Sequence, residues 1–228
     1  MVDQPSLASR SAPTFWTGQA IHFIGLSLLL LLTWKAWQFV GNPSPVLFWI
    51  AIAFPIMHQF FVWITWRLKL QPLSATEVLT FPVYLVIFFL LFAGRFVSLL
   101  TLSWVDRGSL QLPIIPQVVL TAFFTVPGVY AMYSVWRYFG FGRAAGADHF
   151  DPRYRDMPLV RQGIFRFTSN GMYLYAFLLF WAVAFAFNSF AATIVVVYSH
   201  AYIWVHYYAT EKPDMEYLYR ASPMRGTG

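Results

Sequence analysis

Four long apolar stretches constrain this chain more than any other feature of its sequence. They cover residues 19–40, 46–66, 79–104 and 113–138, and each has about the 20 residues that a helix needs to cross a bilayer. Two shorter apolar stretches, 172–187 and 189–209, are predicted to form a helical hairpin that turns at Asn188. The sequence therefore predicts an all-α, polytopic integral membrane protein with about six transmembrane helices.

The composition supports a membrane location and argues against several other classes. Charged residues make up only 11% of the 228 residues, whereas a soluble domain carries about a quarter. The chain has no cysteine, which excludes disulfides and cysteine-ligated metals. A net charge of +6 is compatible with nucleic-acid binding, but the basic residues do not form an exposed array with stacking aromatics. We therefore predict no nucleic-acid partner.

The distribution of lysine and arginine predicts the orientation, because short cytoplasmic loops are enriched in both. With a cytoplasmic N-terminus, only Arg107 lies outside, and Lys35 and Arg95 fall within spans. The cytoplasmic side then carries Arg10, Arg67, Lys69, Arg137, Arg143, Arg153, Arg155, Arg161, Arg166, Lys212, Arg220 and Arg225. Both termini are thus predicted to be cytoplasmic.

The longest polar stretch, residues 139–169, divides the chain into two parts. Residues 1–138 are predicted to form a four-helix transmembrane part. Residues 139–228 comprise the polar loop, the hairpin and the tail, where most polar side chains lie, and we expect function there.

Polar residues within spans are costly and usually face the protein interior. His22, Lys35, His58 and Arg95 are of this kind. We interpret the two cations as reaching towards an interface and the histidines as hydrogen-bonded between helices. No metal site is predicted, because no two histidines have the HxxxH spacing of a helical metal pair.

The last apolar stretch carries a polar and aromatic stripe. At 100° per residue, His200, Trp204, Tyr207 and Glu211 fall on one helical face. A carboxylate backed by aromatic rings suits a sulfonium or a quaternary amine. The alternative is an aromatic belt at the membrane surface with a solvated acid, and the spacing alone leaves both open.

The motif order around the hairpin provides a further indication. Three motifs surround the hairpin. The motif before it reads Leu159-Val160-Arg161-Gln162-Gly163-Ile164-Phe165, and the motif at its start reads Ser169-Asn170-Gly171-Met172-Tyr173. The motif at its end reads Thr210-Glu211-Lys212-Pro213-Asp214. This order resembles the membrane methyltransferase superfamily that includes isoprenylcysteine carboxyl methyltransferases and phospholipid N-methyltransferases. Their pattern reads L-V-x-x-G-[IV]-[YF], then R-H-P-x-Y, then a hairpin ending in E-E. Ser169-Asn170-Gly171 replaces Arg-His-Pro here, and Lys212 replaces the second acid.

The resemblance implies a cytoplasmic pocket for S-adenosylmethionine in the last third of the chain. The residues implied to contact the nucleoside part of the donor are Leu159, Gly163, Phe165, Ser169, Asn170 and Tyr173. Glu211 and Tyr207 are implied to contact its positively charged methionine part. We favour a phospholipid head-group amine as the acceptor, for which Glu211, Asp214 and His200 are candidate bases and Trp204 a candidate cation contact.

Several alternatives remain open. A carboxylate acceptor, such as an isoprenylcysteine-like or small lipophilic acid, would instead use Arg161 or Arg166. A sterol-reductase-like NADPH enzyme has a similar hairpin, but no G-x-G-x-x-G motif is present. A transporter or scaffold is the non-enzymatic alternative. The oligomeric state cannot be read from the sequence.

Overall fold

The computed structural model describes residues 11–71 and 79–219, which are helical and contain no β-strand. In chain order the helices are α1 (Gln19–Phe39), α2 (Pro45–Leu70), α3 (Phe81–Val105), α4 (Ile114–Ser134), α5 (Phe141–Ala144), α6 (Leu178–Ala186), α7 (Phe190–His206) and α8 (Lys212–Leu218). Three π-helical segments continue α4, precede α6 and join α7 to α8; they are Val135–Phe139, Met172–Ala176 and Tyr207–Glu211. The predicted all-α class is confirmed.

Within the described residues, four helices are long and apolar enough to cross a bilayer: α1, α2, α3, and α4 with its π-helical extension. The count of six is not confirmed, because the remaining apolar helices are shorter: Met172–Ala186, which comprises a π-helical segment and α6, and α7 with 17 residues.

The short hairpin helices lie among the longer ones. α7 packs against α1, α2 and α3, and α6 packs against α3 and α4. More than half of the α7 side chains are buried. Because α7 is surrounded by protein, its length and polar residues need not match the bilayer. The predicted boundary between residues 138 and 139 remains a prediction, although helices from both sides of it share one core.

Polar contacts at the end of the bundle opposite the polar loop hold the hairpin turn. The Asp106 carboxylate accepts hydrogen bonds from the backbone N–H of Ala191 at 2.9 Å and from the Ser189 hydroxyl at 2.7 Å. Asn188 has a φ of +53°, and its side chain bonds both backbone groups of Leu112. The turn therefore lies at the predicted residue and is tied to the α3–α4 connection.

A glycine allows close approach at the other end. Gly18 precedes α1 with a φ of +80°, and a Cβ there would lie 2.1 Å from the backbone oxygen of Ala209. The start of α1 consequently packs directly on the end of α7. This contact brings the N-terminal segment to the polar end of the bundle, where the loop 139–169 also lies.

The orientation of this bundle is testable because the chain has no cysteine. Ser109 and Asp156 are exposed at opposite ends. We expect an impermeant thiol reagent to label Ser109→Cys in sealed vesicles whose cytoplasmic face is inside, and to label Asp156→Cys only after lysis. The reverse pattern would overturn the predicted orientation. Arg10, Arg220 and Arg225, which also support it, lie outside the described residues.

Candidate functional site

A cavity of about 340 Å³ lies between α2, α3, α4 and the hairpin. Seven phenylalanines give it a predominantly apolar wall: Phe88, Phe89, Phe92, Phe96, Phe141, Phe177 and Phe180. Tyr173 and Glu211 also line it, and both lie in π-helical segments at the polar end of the bundle. Its size and composition are typical of a small-molecule site, with an apolar wall and few polar groups.

Glu211 and Tyr173 are direct partners at this cavity. The Tyr173 hydroxyl donates a hydrogen bond to Oε2 of Glu211. The Tyr173 ring centroid lies 5.9 Å from that of Trp204 and 5.8 Å from that of Tyr207. Asn170 lies near the Tyr207 side chain, where it lowers the pKa of the phenol, although burial raises that pKa overall. The structure thus brings together five of the predicted residues, drawn from both sides of the hairpin.

The electrostatic state of Glu211 follows from its surroundings. Burial raises the pKa of Glu211 to about 7, and the hydrogen bond from Tyr173 only partly offsets this. A carboxylate removed from water favours a nearby cation, because the cation restores the stability of its ionised form. The ring of Tyr173, which packs on those of Trp204 and Tyr207, adds an aromatic face beside Glu211 that attracts the same kind of group.

The π-helical geometry changes the stripe that the sequence predicts. In a π-helix each backbone bond spans five residues instead of four, so residues Tyr207–Glu211 advance by less than 100° each. Glu211 consequently lines the cavity, whereas His200 does not. His200 accepts a hydrogen bond from the indole of Trp181 at 3.0 Å and stacks on Phe177.

Asp214 lies in a buried ion network beside the cavity. Its carboxylate contacts Nε of Arg67 at 3.1 Å and Nε2 of His149 at 3.3 Å. His149 also bonds Asp148 at 3.1 Å, and Asp148 accepts from the Tyr219 hydroxyl at 2.9 Å. The side chain of Asp214 is therefore occupied by two partners of opposite charge.

The network is electrically balanced when His149 is protonated. Burial disfavours its charged form, but hydrogen bonds to Asp148 and Asp214 outweigh burial and raise the pKa of His149. Burial opposes ionisation of Asp148 as well, yet its hydrogen bonds lower the pKa of Asp148. Two positive groups, Arg67 and His149, then face two carboxylates.

Some of the remaining motif residues pack inside the protein, and others are exposed on its surface. Gly163 has a φ of +59°, and a Cβ there would lie 2.4 Å from the Ser134 hydroxyl. Phe165 is buried and stacks on Phe139 with centroids 5.0 Å apart. These contacts fasten the segment to the end of α4. Four predicted site residues are exposed instead: Leu159, Arg161, Arg166 and Ser169.

The sequence analysis did not assign four polar residues that line the cavity: His58, Gln59, Arg95 and His206. His58 and Arg95 carried a detectable signal, since charged and ionisable groups within a span are rare. His206, within the apolar stretch 189–209, carried the same signal, whereas nothing local marked Gln59. The partners of Asp214 were also missed, because their pairing joins α2, the loop and α8, far apart in sequence.

Comparison with protein families finds a match for the C-terminal part of the chain. Residues 116–222 match the family model described as phospholipid methyltransferase. The predicted superfamily is confirmed. No curated protein and no solved structure matches the chain.

This methyltransferase family match begins within α4 and includes the polar loop, the hairpin and α8. It therefore contains Tyr173, Trp204, Tyr207 and Glu211. It does not contain α2 or α3, which carry His58 and Arg95.

The buried ion network predicts a large effect on stability. Asp214→Asn removes the carboxylate that faces Arg67 and His149 and leaves both without their shared counter-charge. Breaking a buried pair on one side typically costs about 3–5 kcal/mol. We expect a much lower midpoint of thermal unfolding in detergent. Asp151→Asn is the matched control: it breaks the exposed pair with Arg153 and should change the midpoint little. Equal midpoints for the wild type, Asp214→Asn and Asp151→Asn would contradict the stabilising role of the network.

The same network predicts a pH dependence. The folded-state pKa of His149 is raised above its ordinary 6.5, so its contribution to stability is complete below 6.5 and is lost as pH rises through the folded value. The thermal midpoint should therefore decline on the alkaline side. His149→Gln should flatten this decline, and an unchanged slope in that variant would exclude His149 as its source.

Proposed function

We propose that this protein transfers a methyl group from S-adenosylmethionine to a lipid-like acceptor at the cytoplasmic face of a membrane. The observation that carries the proposal is the position of Glu211 and Tyr173: both lie in the matched methyltransferase segment and both line a predominantly apolar cavity between membrane-spanning helices.

The residues present suit this methyl donor. S-adenosylmethionine is a sulfonium cation with an ammonium group, and Glu211 offers a partly desolvated carboxylate beside the rings of Tyr173, Trp204 and Tyr207. Charge pairing and cation–π attraction act together at this end of the cavity. Asn170 lies next to Tyr207 and could add a polar contact on the nucleoside side.

When bound, the donor would supply its methyl group: an acceptor lone pair would attack the methyl carbon in line while the carbon–sulfur bond breaks, leaving a neutral thioether. The chain contributes by holding the two reactants in that geometry and by excluding water, which can account for much of the acceleration. Because the positive charge on sulfur disappears during the reaction, tight binding of that cation alone does not accelerate it. Positioning by Tyr173 and Glu211 is therefore the main role we assign to the site.

We favour the amine of a phospholipid head group as the acceptor. Such an amine attacks only when unprotonated, so a base is needed, and a group with a pKa near the working pH is the most effective. Glu211, with its pKa raised to about 7, meets this condition. Asp214 is engaged by Arg67 and His149, and His200 by Trp181, which makes them weaker candidates.

A carboxylate acceptor is the second candidate. The exposed Arg161 and Arg166 lie in the polar loop, where they would meet an acidic substrate approaching from the cytoplasmic side. Both candidates share the orientation that we infer from the basic residues, with the loop 139–169 on the cytoplasmic side.

Substitution of Glu211 tests the donor site. Glu211→Gln keeps the size of the side chain but removes its charge, and loss of a charge-assisted hydrogen bond costs about 1.5–3 kcal/mol. We expect calorimetric affinity for S-adenosylmethionine to fall roughly ten- to more than a hundredfold. Glu216→Gln, the nearest other glutamate in the described chain, is the matched control and should bind nearly as tightly as the wild type.

A labelled-methyl transfer assay on total membrane lipid, with products identified by mass, then tests the reaction itself. The wild type should label lipid, with a rate at low S-adenosylmethionine concentration that rises with pH through about 7, because the pKa of Glu211 is about 7 in the donor-free protein. Wild-type affinity in Glu211→Gln would remove its cofactor role. Binding of a nicotinamide cofactor in place of S-adenosylmethionine would favour the reductase-like alternative.

A further inference from the structure

Arg95 is a buried cation without a carboxylate partner in the described residues. Its side chain is 3% exposed and lines the cavity. Nη1 donates a hydrogen bond to Nδ1 of His58 at 3.1 Å, and the guanidinium lies over the rings of Phe177 and Phe180. Neither contact neutralises its charge, and burying an unpaired charge is strongly unfavourable.

Several hydrogen-bond donors at this part of the cavity have no acceptor. Nε and Nη2 of Arg95, Nε2 of His58 and Nε2 of Gln59 are buried and unpartnered. Because Nδ1 of His58 accepts from Arg95, the proton of a neutral His58 lies on Nε2, which makes that atom a donor too. Four donors on cavity-lining residues therefore require an acceptor from elsewhere, since buried polar groups are normally paired.

Depth separates this cluster from the polar end of the bundle. Arg95 is 14 residues beyond Phe81, the first residue of α3, which corresponds to about 21 Å along the helix. A hydrocarbon core is roughly 30 Å thick, so the guanidinium lies well inside it. Glu211 lines the same cavity at the polar end. One cavity thus holds an acid at its outer end and a cation at its inner end.

The cavity also reaches the surface that faces lipid. α3 and α4 both pack on α6 but make few contacts with each other. Between them, the lining residues Phe89, Phe96 and Phe141 are 39%, 38% and 42% exposed. An apolar molecule in the bilayer can therefore enter sideways through this gap without crossing water.

We propose that Arg95, with His58 and Gln59, binds an anionic oxygen group on the lipophilic acceptor, either a carboxylate or a phosphodiester, while its apolar body extends through the gap between α3 and α4. This substrate class rests on the proposed function, because it treats the ligand of the cavity as the methyl acceptor. Bidentate geometry of the guanidinium suits both oxyanions.

The test compares anionic and neutral probes with the purified full-length protein in a non-ionic detergent. Oleate and phosphatidylethanolamine are the anion-bearing probes, and oleyl alcohol and diacylglycerol are their neutral counterparts. The wild type should bind at least one anion-bearing probe about ten- to a hundredfold more tightly than its counterpart. Preference confined to oleate assigns the carboxylate. Preference confined to phosphatidylethanolamine assigns the phosphodiester where Arg95→Gln removes it, because the ammonium of that lipid would bind at Glu211 and not at Arg95.

Three variants connect the preference to Arg95. Arg95→Gln should abolish it, Arg95→Lys should retain part of it, and Arg107→Gln, which changes an exposed arginine just beyond α3, should leave it intact. If Arg95→Gln does not fold, as judged by its thermal melt, the wild-type comparison and Arg95→Lys still decide the question.

Two results would overturn the anion site: no preference in the wild type, or full preference in Arg95→Gln. Loss of S-adenosylmethionine affinity in Arg95→Gln with unchanged lipid preference would also overturn it, since Arg95 would then bind the donor. The wild type could instead prefer the anionic probes but neither bind S-adenosylmethionine nor transfer methyl groups. That result would contradict the proposed function and would still support the anion site.

Discussion

The Arg67 guanidinium is the interaction on which the polar end of this protein depends. It pairs with Asp214 and donates to the backbone oxygens of Thr14, Thr17 and Ala209. One fully buried side chain thus joins α2, the segment before α1, the π-helical turn after α7, and α8. A buried cation of this kind is stable only when it is paired and hydrogen-bonded within the protein.

This network also determines how Glu211 is presented. Arg67 bonds Ala209 inside the π-helical turn and Asp214 just beyond it, so both sides of Glu211 are held. π-helical turns carry unsatisfied or rearranged backbone bonds and occur often at functional sites. Here the turn directs a carboxylate into an apolar cavity, where its pKa rises. The buried ions of the network are paired with one another within the chain. The neighbouring carboxylate of Glu211 instead lines the cavity and accepts a hydrogen bond from Tyr173.

Much of this arrangement was predictable from particular residues. The apolar stretches predicted helices whose ends agree closely with α1 to α4, and Asn188 was predicted as the hairpin turn. The resemblance of the motifs implied that Tyr173 and Glu211 line one pocket, and the structure places their side chains in contact. The predicted helical face that joins His200 to Glu211 is absent. It assumed an α-helical rotation of 100° per residue, whereas Tyr207–Glu211 is π-helical. The number of spans remains a prediction. Hydropathy records only the length of an apolar stretch, and α6 and α7 gain much of their apolar environment from neighbouring helices.

Sequence alone determined the membrane location, the all-helical class and the superfamily, because these depend on local apolar content and on motif spacing. Tertiary structure decided which polar groups meet. From the sequence, Asp214 was only a candidate base, and the tertiary structure alone shows that it pairs with Arg67 and His149. Arg95 and His58 lie 37 positions apart and become partners only when α2 packs on α3. Such contacts are set by helix packing in three dimensions, and no short-range pattern along the chain encodes them.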